Sequence, residues 1–386
     1  MKKRNGALYF WAFIFCMIFV LHYAYFFDPK KLEKGAFYFF RGELAIDYFF
    51  VVIGVMLAKT VDSIPGDRAL TWREYGSFVK RILRFYLPAF AICWAVTFVA
   101  LNKMTFIDVP TLINNFFTAL LELLPFRNVG FNAAPVDNLT FVGYRVMDQG
   151  WVISAAFIAL VLLYPLYRRG RKRFEYYIAP VGAVLLLCFL FFKTKILAGD
   201  NLLTLDAKIK PLFYSFPGTY KGIAEILAGV TCFTVARHFS GRSVSKAGSH
   251  LLSVVEIGGY LAAIWYMQFM FRFELPEIFD YLAVSAMILG VTVSLSGKSS
   301  IAKLFDHKPV YFLGRFSLYP FLTFMVFAKT LPYFLPGMGL KKLTLIYLGL
   351  TLVSAVVVML LEKPFVRLVK SLKKLFIKPQ PDKEAA

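Results

Sequence analysis

The sequence predicts an all-α integral membrane protein with about ten transmembrane helices. Of its 386 residues, 59% are hydrophobic and 18% are aromatic, including 43 Phe, which exceeds the apolar share of soluble domains. The apolar residues fall in runs that approach the roughly 20 residues a helix needs to cross about 30 Å of hydrocarbon. Because a backbone in lipid must satisfy its own hydrogen bonds, these runs are expected to be helices.

Ten apolar runs are candidate transmembrane spans, and each is bounded where charged or turn-forming residues resume. They cover approximately residues 7–26, 43–59, 83–101, 150–167, 177–193, 217–237, 251–271, 276–297, 309–331 and 343–361. An even number of spans puts both termini on the same side of the membrane.

Basic residues are unevenly distributed between the two sides that this topology defines. Of the 44 Lys and Arg residues, 27 lie in the termini and the loops on their side, and 15 lie in the loops of the other side. Loops rich in Lys and Arg stay in the cytoplasm, so we expect a multi-pass protein of the cell membrane with both termini cytoplasmic. The net charge of +21 is then explained by loops that face anionic lipid, and nucleic-acid binding is not predicted.

The chain is expected to form one transmembrane domain over residues 1–366, followed by a basic cytoplasmic tail over residues 367–386. On the outer side, residues 102–149 include TLINNFFTALLELLPF, an amphipathic run predicted to lie at the membrane interface because polar residues interrupt it. The four cysteines are widely spaced inside apolar runs. They do not form the pattern of a metal site, and no metal is predicted.

Several ionisable residues fall inside the predicted spans, where each is costly and marks a candidate functional site. They are His22, Asp47, Glu225, Glu256, Arg315 and Lys329. His22, in the stretch FVLHYAYFF, is about four residues from the outer end of the first span, or about 6 Å below the boundary at 1.5 Å per residue. Asp47 is about as deep in the second span, so we expect the two side chains to be neighbours.

A carboxylate beside an imidazole has a recognised chemical use. It fixes the tautomer of the ring and makes the other nitrogen a better base, which is what proton removal from a hydroxyl nucleophile requires. His22 and Asp47 are therefore candidate catalytic residues. The alternative is that they only satisfy one another, or a backbone carbonyl, between helices. Lys221 and Glu225 are four residues apart and are expected to neutralise each other.

A basic element, FVKRILRFYLP, precedes the third span on the predicted cytoplasmic side. Arg81 and Arg84 are three residues apart and lie on one face of a helix, where their forked donors could grip phosphates together with Lys80. The competing interpretation is an ordinary orientation signal at a cytoplasmic helix end.

Four stretches together resemble the membrane-bound acyltransferase 3 family of ten-span O-acyltransferases. RGELAIDYFFVVIGVMLAKT, residues 41–60, resembles its glycine, acid and double-aromatic segment, and KRILR with Leu87 and Pro88 resembles its R-R-x-x-R-x-x-P element. LGRFSLYPFLTF, residues 313–324, resembles its L-G-x-x-S-Y-x-x-Y-L-x-H segment, and LEKPF, residues 361–365, resembles its E-K-P ending.

The resemblance implies an acyltransferase-3-like bundle that transfers an acyl group, commonly acetyl, from acyl-CoA to a hydroxyl of a cell-envelope carbohydrate or glycolipid. It places the family histidine at His22 and the donor-binding basic element at Lys80, Arg81 and Arg84, and acyl-CoA acts as a substrate with no permanently bound cofactor.

Four positions depart from the family pattern, and they keep a second class of function open. Trp11 stands where the family often has arginine, Ile53 where it has serine, Ala156 where glutamate is frequent, and Phe324 where it has the late histidine. A transporter-like or non-catalytic membrane protein derived from the same fold is therefore the alternative, with the buried acids forming a proton or solute pathway.

Overall fold

The computed structural model describes residues 6–28, 38–63, 76, 86–100, 150–194, 217–270, 273, 275–276, 278–302 and 304–376. Within these residues the regular structure is entirely helical, as the sequence predicts. The interfacial segment predicted over residues 102–149 and the last residues of the basic tail lie outside them.

Eleven helices are numbered here in chain order. They are α1 (Gly6–His22), α2 (Ala45–Asp62), α3 (Tyr86–Ala100), α4 (Gly150–Arg169), α5 (Ala179–Thr194), α6 (Pro217–Ser240), α7 (Lys246–Phe269), α8 (Ile278–Ser296), α9 (Lys308–Phe316), α10 (Leu318–Phe334) and α11 (Leu340–Phe376). Short 3₁₀ turns, Tyr23–Phe27 and Gly42–Leu44, end α1 and lead into α2.

A helix lies within each of the ten predicted spans, with α9 and α10 together filling the ninth. Seven helical segments of the described chain are long and apolar enough to cross a membrane, and α1 and α3 are shorter apolar helices. Helix α6 is not among these segments, and its 24 residues include the charged Lys221, Glu225 and Arg237. The chain is therefore an all-α membrane protein, and the number of ten crossings stays a prediction.

Local sequence explains several helix boundaries. The Ser245 side chain caps α7 by accepting a hydrogen bond from the Gly248 amide at 3.1 Å, as a serine at this position commonly does. Pro309 occupies the first turn of α9, where its missing N–H costs nothing. Helices α9 and α10 meet at Ser317, and Pro320, which follows, cannot donate to the backbone of α9.

Helix α1 lies at the centre of the described bundle and packs against α2, α8, α9, α10 and α11. Two tyrosines tether it, because the Tyr48 hydroxyl donates to the Leu8 carbonyl at 2.7 Å and the Tyr347 hydroxyl donates to the Val20 carbonyl at 2.8 Å. These bonds fix the position of α1 along the axis of the bundle, and therefore the position of His22 at its end.

Helices α2 and α6 cross where their backbones touch. A Cβ atom added to Gly54 would lie 2.0 Å from the Ile226 carbonyl oxygen, and one added to Gly229 would lie 2.0 Å from the Val51 carbonyl oxygen. Small residues permit this close approach between helices in a membrane. The crossing holds the N-terminal halves of α2 and α6 side by side, and these halves carry most of the buried charge described below.

Candidate active site

His22 ends α1 and is buried, with 2% of its surface exposed. Its Nδ1 lies 2.8 Å from the Phe39 carbonyl oxygen. Because a carbonyl only accepts hydrogen bonds, Nδ1 carries the proton, and Nε2 is the nitrogen on which a basic lone pair can reside.

The Phe39 carbonyl is held in place by its surroundings. Phe39 has a φ of 50°, a left-handed conformation that is uncommon for a bulky residue and needs outside support. Its amide donates to the Gln268 side chain at 2.9 Å, and the Arg41 amide donates to the Met267 carbonyl at 2.9 Å. The end of α7 therefore fixes the backbone that orients His22.

The carboxylate beside His22 belongs to Glu43, where the sequence led us to expect Asp47. The Nε2 atom of His22 lies 3.2 Å from Oε2 of Glu43, and both residues are buried. The turn Gly42–Leu44 places Glu43 alongside the end of α1, and Gly42 makes this possible, because a Cβ there would lie 2.4 Å from the His22 Cβ. Glu43, at the very edge of the predicted span, is the acid that reaches the ring.

Asp47 lies one turn farther along α2 and pairs with Lys221 instead. The Nζ atom of Lys221 lies 2.5 Å from Oδ1 of Asp47, and both side chains are fully buried. Lys221 was expected to neutralise Glu225 within α6. It faces Asp47 as well, and Glu225 also lies against Asp47, so one cation serves two carboxyl groups. The crossing of α2 and α6 brings these three residues together, which spacing along one helix does not show.

Arg41 connects the two groups of acids. Its guanidinium lies 3.5 Å from Oε1 of Glu43 and 3.7 Å from Oδ1 of Asp280 on α8. Asp280 is fully buried and accepts a hydrogen bond of 2.6 Å from the Tyr266 hydroxyl. The Arg41 side chain is 15% exposed, so this end of the network is nearest the surface.

We call these buried ionisable residues the His22 network. Its members are His22, Arg41, Glu43, Asp47, Lys221, Glu225 and Asp280. It contains two permanent cations and four carboxyl groups. Burial of uncompensated charge is costly, so the network is built to hold protons as well as ion pairs.

The predicted donor-binding residues Lys80, Arg81 and Arg84 lie outside the described residues. In the part of the chain that is described, no cluster of three or more His, Cys, Asp or Glu side chains has the arrangement of a metal site.

A family model for an acyltransferase domain matches residues 11–363, which is nearly the whole chain. The chain belongs to the acyltransferase 3 family. It is therefore a membrane acyltransferase by family and a multi-pass protein by its apolar helices. No curated protein and no solved structure matched the chain.

Two of the acyltransferase 3 family stretches contact each other in the fold. The Tyr319 hydroxyl, in LGRFSLYPFLTF, donates to Oε2 of Glu362, in LEKPF, at 2.7 Å, and Glu362 is buried. Gly314, in the first of these stretches, lies against α1, since a Cβ there would be 2.4 Å from the Tyr9 carbonyl oxygen. These contacts thus join α9 to α1 and α10 to α11.

The positions that depart from the acyltransferase 3 pattern are filled by packing. Trp11 stacks on Tyr260 with ring centroids 4.4 Å apart, so an aromatic pair occupies the place of the family arginine. Phe324 is fully buried against Tyr23, which in turn packs edge-on against His22 at 5.1 Å. The position of the late histidine is therefore one ring away from His22. Ala156 is buried and Ile53 is half-buried.

A second charge network lies at the other end of α2, which we call the Asp62 end. Arg171 and Arg237 each bond both Asp62 and Glu175, with 3.0 Å from Arg171 to Glu175 and 2.9 Å from Arg237 to Asp62. The Tyr167 hydroxyl donates to Glu175 at 2.8 Å. Both guanidiniums are already paired, so this cluster joins helix ends and is a poor site for phosphate.

Other intramembrane residues singled out in the sequence also find surroundings. Glu256 is fully buried and accepts a hydrogen bond of 2.6 Å from the Ser294 hydroxyl, which lies 3.1 Å from the Tyr260 hydroxyl. Arg315 is exposed. Neither residue belongs to the His22 network.

Sequence reasoning missed Glu43, Arg41 and Asp280 as parts of the site. Glu43 and Arg41 stand at the predicted edge of a span, where charge is ordinary and carries no signal. Asp280 lies four residues inside the predicted span 276–297, at a depth comparable with Asp47. That depth was a usable signal for a fourth buried acid, after Asp47, Glu225 and Glu256.

Proposed function

We propose that this protein is an O-acyltransferase that moves an acyl group, most simply acetyl, from acyl-CoA to a hydroxyl of a cell-envelope carbohydrate or glycolipid. It acts in the cell membrane with both termini in the cytoplasm, so that the His22 end faces outward. The observation that carries the proposal is the buried pair of His22 and Glu43 in a chain that belongs to the acyltransferase 3 family.

His22 is the general base of this proposal. With Nδ1 donating to the Phe39 carbonyl, Nε2 takes the proton of the acceptor hydroxyl as its oxygen attacks the acyl carbon. Glu43 stabilises the imidazolium that forms, because a carboxylate beside a positively charged ring lowers its free energy. The Phe39 carbonyl thus has the tautomer-fixing role first assigned to Asp47, and Glu43 supplies the carboxylate beside the charged ring.

Lys80, Arg81 and Arg84 hold the phosphates of the donor in the same proposal. They precede α3 on the side where acyl-CoA is found, and arginine forks match phosphate geometry. Asp47 and Asp62 are fifteen residues apart on α2, so at 1.5 Å per residue the two ends of the bundle are separated by about 22 Å. The donor therefore reaches toward His22 with its extended pantetheine arm, or hands its acyl group to a relay.

The test uses purified protein, labelled acetyl-CoA and an extract of envelope glycans. His22→Ala should abolish transfer of label while leaving donor binding nearly intact, and Arg84→Ala should weaken donor binding. His250→Ala is the matched control, because His250 is an exposed histidine outside the His22 network. Transfer that persists undiminished in His22→Ala would remove the catalytic assignment.

The buried charge of α2 and α6 favours one alternative, a proton-coupled membrane carrier without acyltransferase activity. Asp47, Lys221 and Glu225 are fully buried in helices that cross the core, and such groups often form ion pathways. The same experiment separates the two. A carrier would show no transfer of label in the wild type, and reconstituted vesicles would show proton uptake that depends on Asp47.

A further inference from the structure

Asp47 and Glu225 form a buried carboxyl pair whose charge is only half compensated by Lys221. All three side chains are fully buried. Lys221 lies 2.5 Å from Asp47 and also faces Glu225. Glu225 lies one turn beyond Lys221 on α6, and its carboxyl group interacts with that of Asp47.

The oxygens of this pair are short of donors. Among the described residues, neither oxygen of Glu225 meets a hydrogen-bond donor, and Asp47 has only the contact with Lys221. Two carboxylates at contact in a buried site do not both ionise, because their repulsion is strong where water is excluded. A proton between them supplies the missing donor and leaves one negative charge for Lys221 to balance.

The pair is joined by helix geometry to the proposed catalytic residues. Glu43, in the turn before α2, and Asp47, in the first turn of α2, are four residues apart and their charges interact, so they lie on one side, about one turn apart. Four groups that can each accept a proton therefore follow one another from the end of α1 toward the middle of the bundle, namely His22, Glu43, Asp47 and Glu225. The other titratable groups whose charges reach the pair are Asp280 and Tyr281 on α8. Arg41 before α2 contacts Asp280 and Glu43, Cys188 on α5 lies beside Tyr281, and α4 carries charge only at Arg168 and Arg169, at the Asp62 end.

We propose that Asp47 and Glu225 share one proton and that this pair exchanges protons with His22 through Glu43 during acyl transfer. The shared proton is inferred from the geometry of the buried pair. Its part in catalysis rests on the proposed function. In the reaction, the acceptor O–H bond breaks, its oxygen bonds the acyl carbon, and the thioester C–S bond breaks. The hydroxyl proton passes to His22, the series relays it to bulk water, and the departing thiolate takes one proton from water to become the thiol of CoA.

The shared proton is tested without any turnover, by infrared spectroscopy of the purified full chain at neutral pH in H₂O and D₂O. Wild type should show the carbonyl stretching band of a buried protonated carboxyl. Glu225→Gln and Asp47→Asn should each lose that band, since the remaining acid ionises against Lys221. Lys221→Met should strengthen it, because both acids then need protons. If Glu225→Gln and Asp47→Asn both leave the band intact, the pair holds no proton and the proposal is overturned.

The exchange with His22 is tested by kinetics with acetyl-CoA and the glycan extract. Glu225→Gln should lower kcat about tenfold, enlarge the solvent deuterium isotope effect and leave the KM for acetyl-CoA unchanged. Glu225→Asp, which restores a carboxyl, should recover part of the rate, and it also reports on the site if Glu225→Gln does not fold.

Glu256→Gln is the matched control, because Glu256 is an equally buried glutamate that bonds Ser294 outside the series, and it should keep the wild-type isotope effect. A wild-type kcat and isotope effect in Glu225→Gln would overturn the exchange. Absence of transfer in wild type would instead count against the proposed function, while the infrared result would still decide whether the proton is shared.

Discussion

The carboxyl of Glu43 sets the protonation states open to His22. Because Nδ1 donates to the Phe39 carbonyl, the 3.2 Å contact between Nε2 and Glu43 requires a proton on one of the two partners. The pair therefore exists as a neutral ring beside a carboxylic acid, or as an imidazolium beside a carboxylate. The two states hold the same number of protons, so in the proposed reaction Nε2 can take the proton of an acceptor hydroxyl only after this shared proton has left the pair.

Replacement of Glu43 by glutamine tests this at the level of one residue. The amide keeps the shape of the side chain but cannot stabilise the imidazolium, so kcat for acyl transfer should fall by about 10²-fold, with the KM for acetyl-CoA unchanged. The measurement is the rate of label transfer from acetyl-CoA. Asp306→Asn is a suitable control, because Asp306 lies before α9 and bonds Tyr311. A Glu43→Gln protein with full activity would show that His22 needs no carboxylate.

At the residue scale the sequence predicted which ionisable groups are buried between helices better than it predicted their partners. His22, Asp47 and Glu225 stand out because an ionisable group is rare inside an apolar run. Their partners depend on the rotation of each helix and on where helices cross, and neither is written in spacing along the chain. Asp47 faces Lys221 because Gly54 and Gly229 let α2 and α6 touch.

Two helices whose backbones touch should be intolerant of any added side chain. Gly54→Ala places a methyl group where the Ile226 carbonyl oxygen lies 2.0 Å away, so it should lower the free energy of unfolding by at least about 2 kcal/mol. Thermal unfolding in detergent measures this. The matched control is Gly258→Ala in α7, which meets nothing within 4 Å and should be neutral or gain about 0.5–1 kcal/mol from helix propensity. Equal stability of the two variants would argue against the close crossing.

At the element scale, helix positions were the most predictable part of the fold. Lipid forces the backbone to bond within each segment, so apolar length alone located a helix in each predicted span. The break between α9 and α10 at Ser317 and the short turn that carries Glu43 were not predicted, because both depend on contacts with α1. Glu43 was missed as a catalytic candidate for that reason.

The proposed topology of the whole molecule can be tested with two engineered cysteines. In a protein whose four native cysteines are replaced by alanine, Gly241→Cys and Gly339→Cys lie at open positions with nothing within 4 Å. Three spans separate them, namely α7, α8 and the α9–α10 pair. A membrane-impermeant thiol reagent should label position 339 in intact cells and position 241 only after permeabilisation. Labelling of both from the same side would refute the predicted topology.

Within the described helices, the networks of buried ion pairs lie at two levels. At the Asp62 end, two arginines and two acids compensate one another and join α2, α6 and the turn after α4. At the His22 end, four carboxyls face two permanent cations. One end is thus saturated with ion pairs, while at the other the acids outnumber the permanent cations, as the proposed proton exchange requires.

The contact of Gly54 with α6 also separates the path of the acyl group from the path of protons in the proposed reaction. Where a single methyl group would overlap a carbonyl oxygen, neither an acyl chain nor a pantetheine arm can thread between α2 and α6. Gly229 lies only one turn beyond Glu225, so directly beyond the last acid of the series the contact between α2 and α6 leaves no space for heavy atoms. In the proposed reaction the acyl group must therefore reach His22 along a different flank of α1 from the one that carries protons, and variants that widen one path should leave the other unaffected.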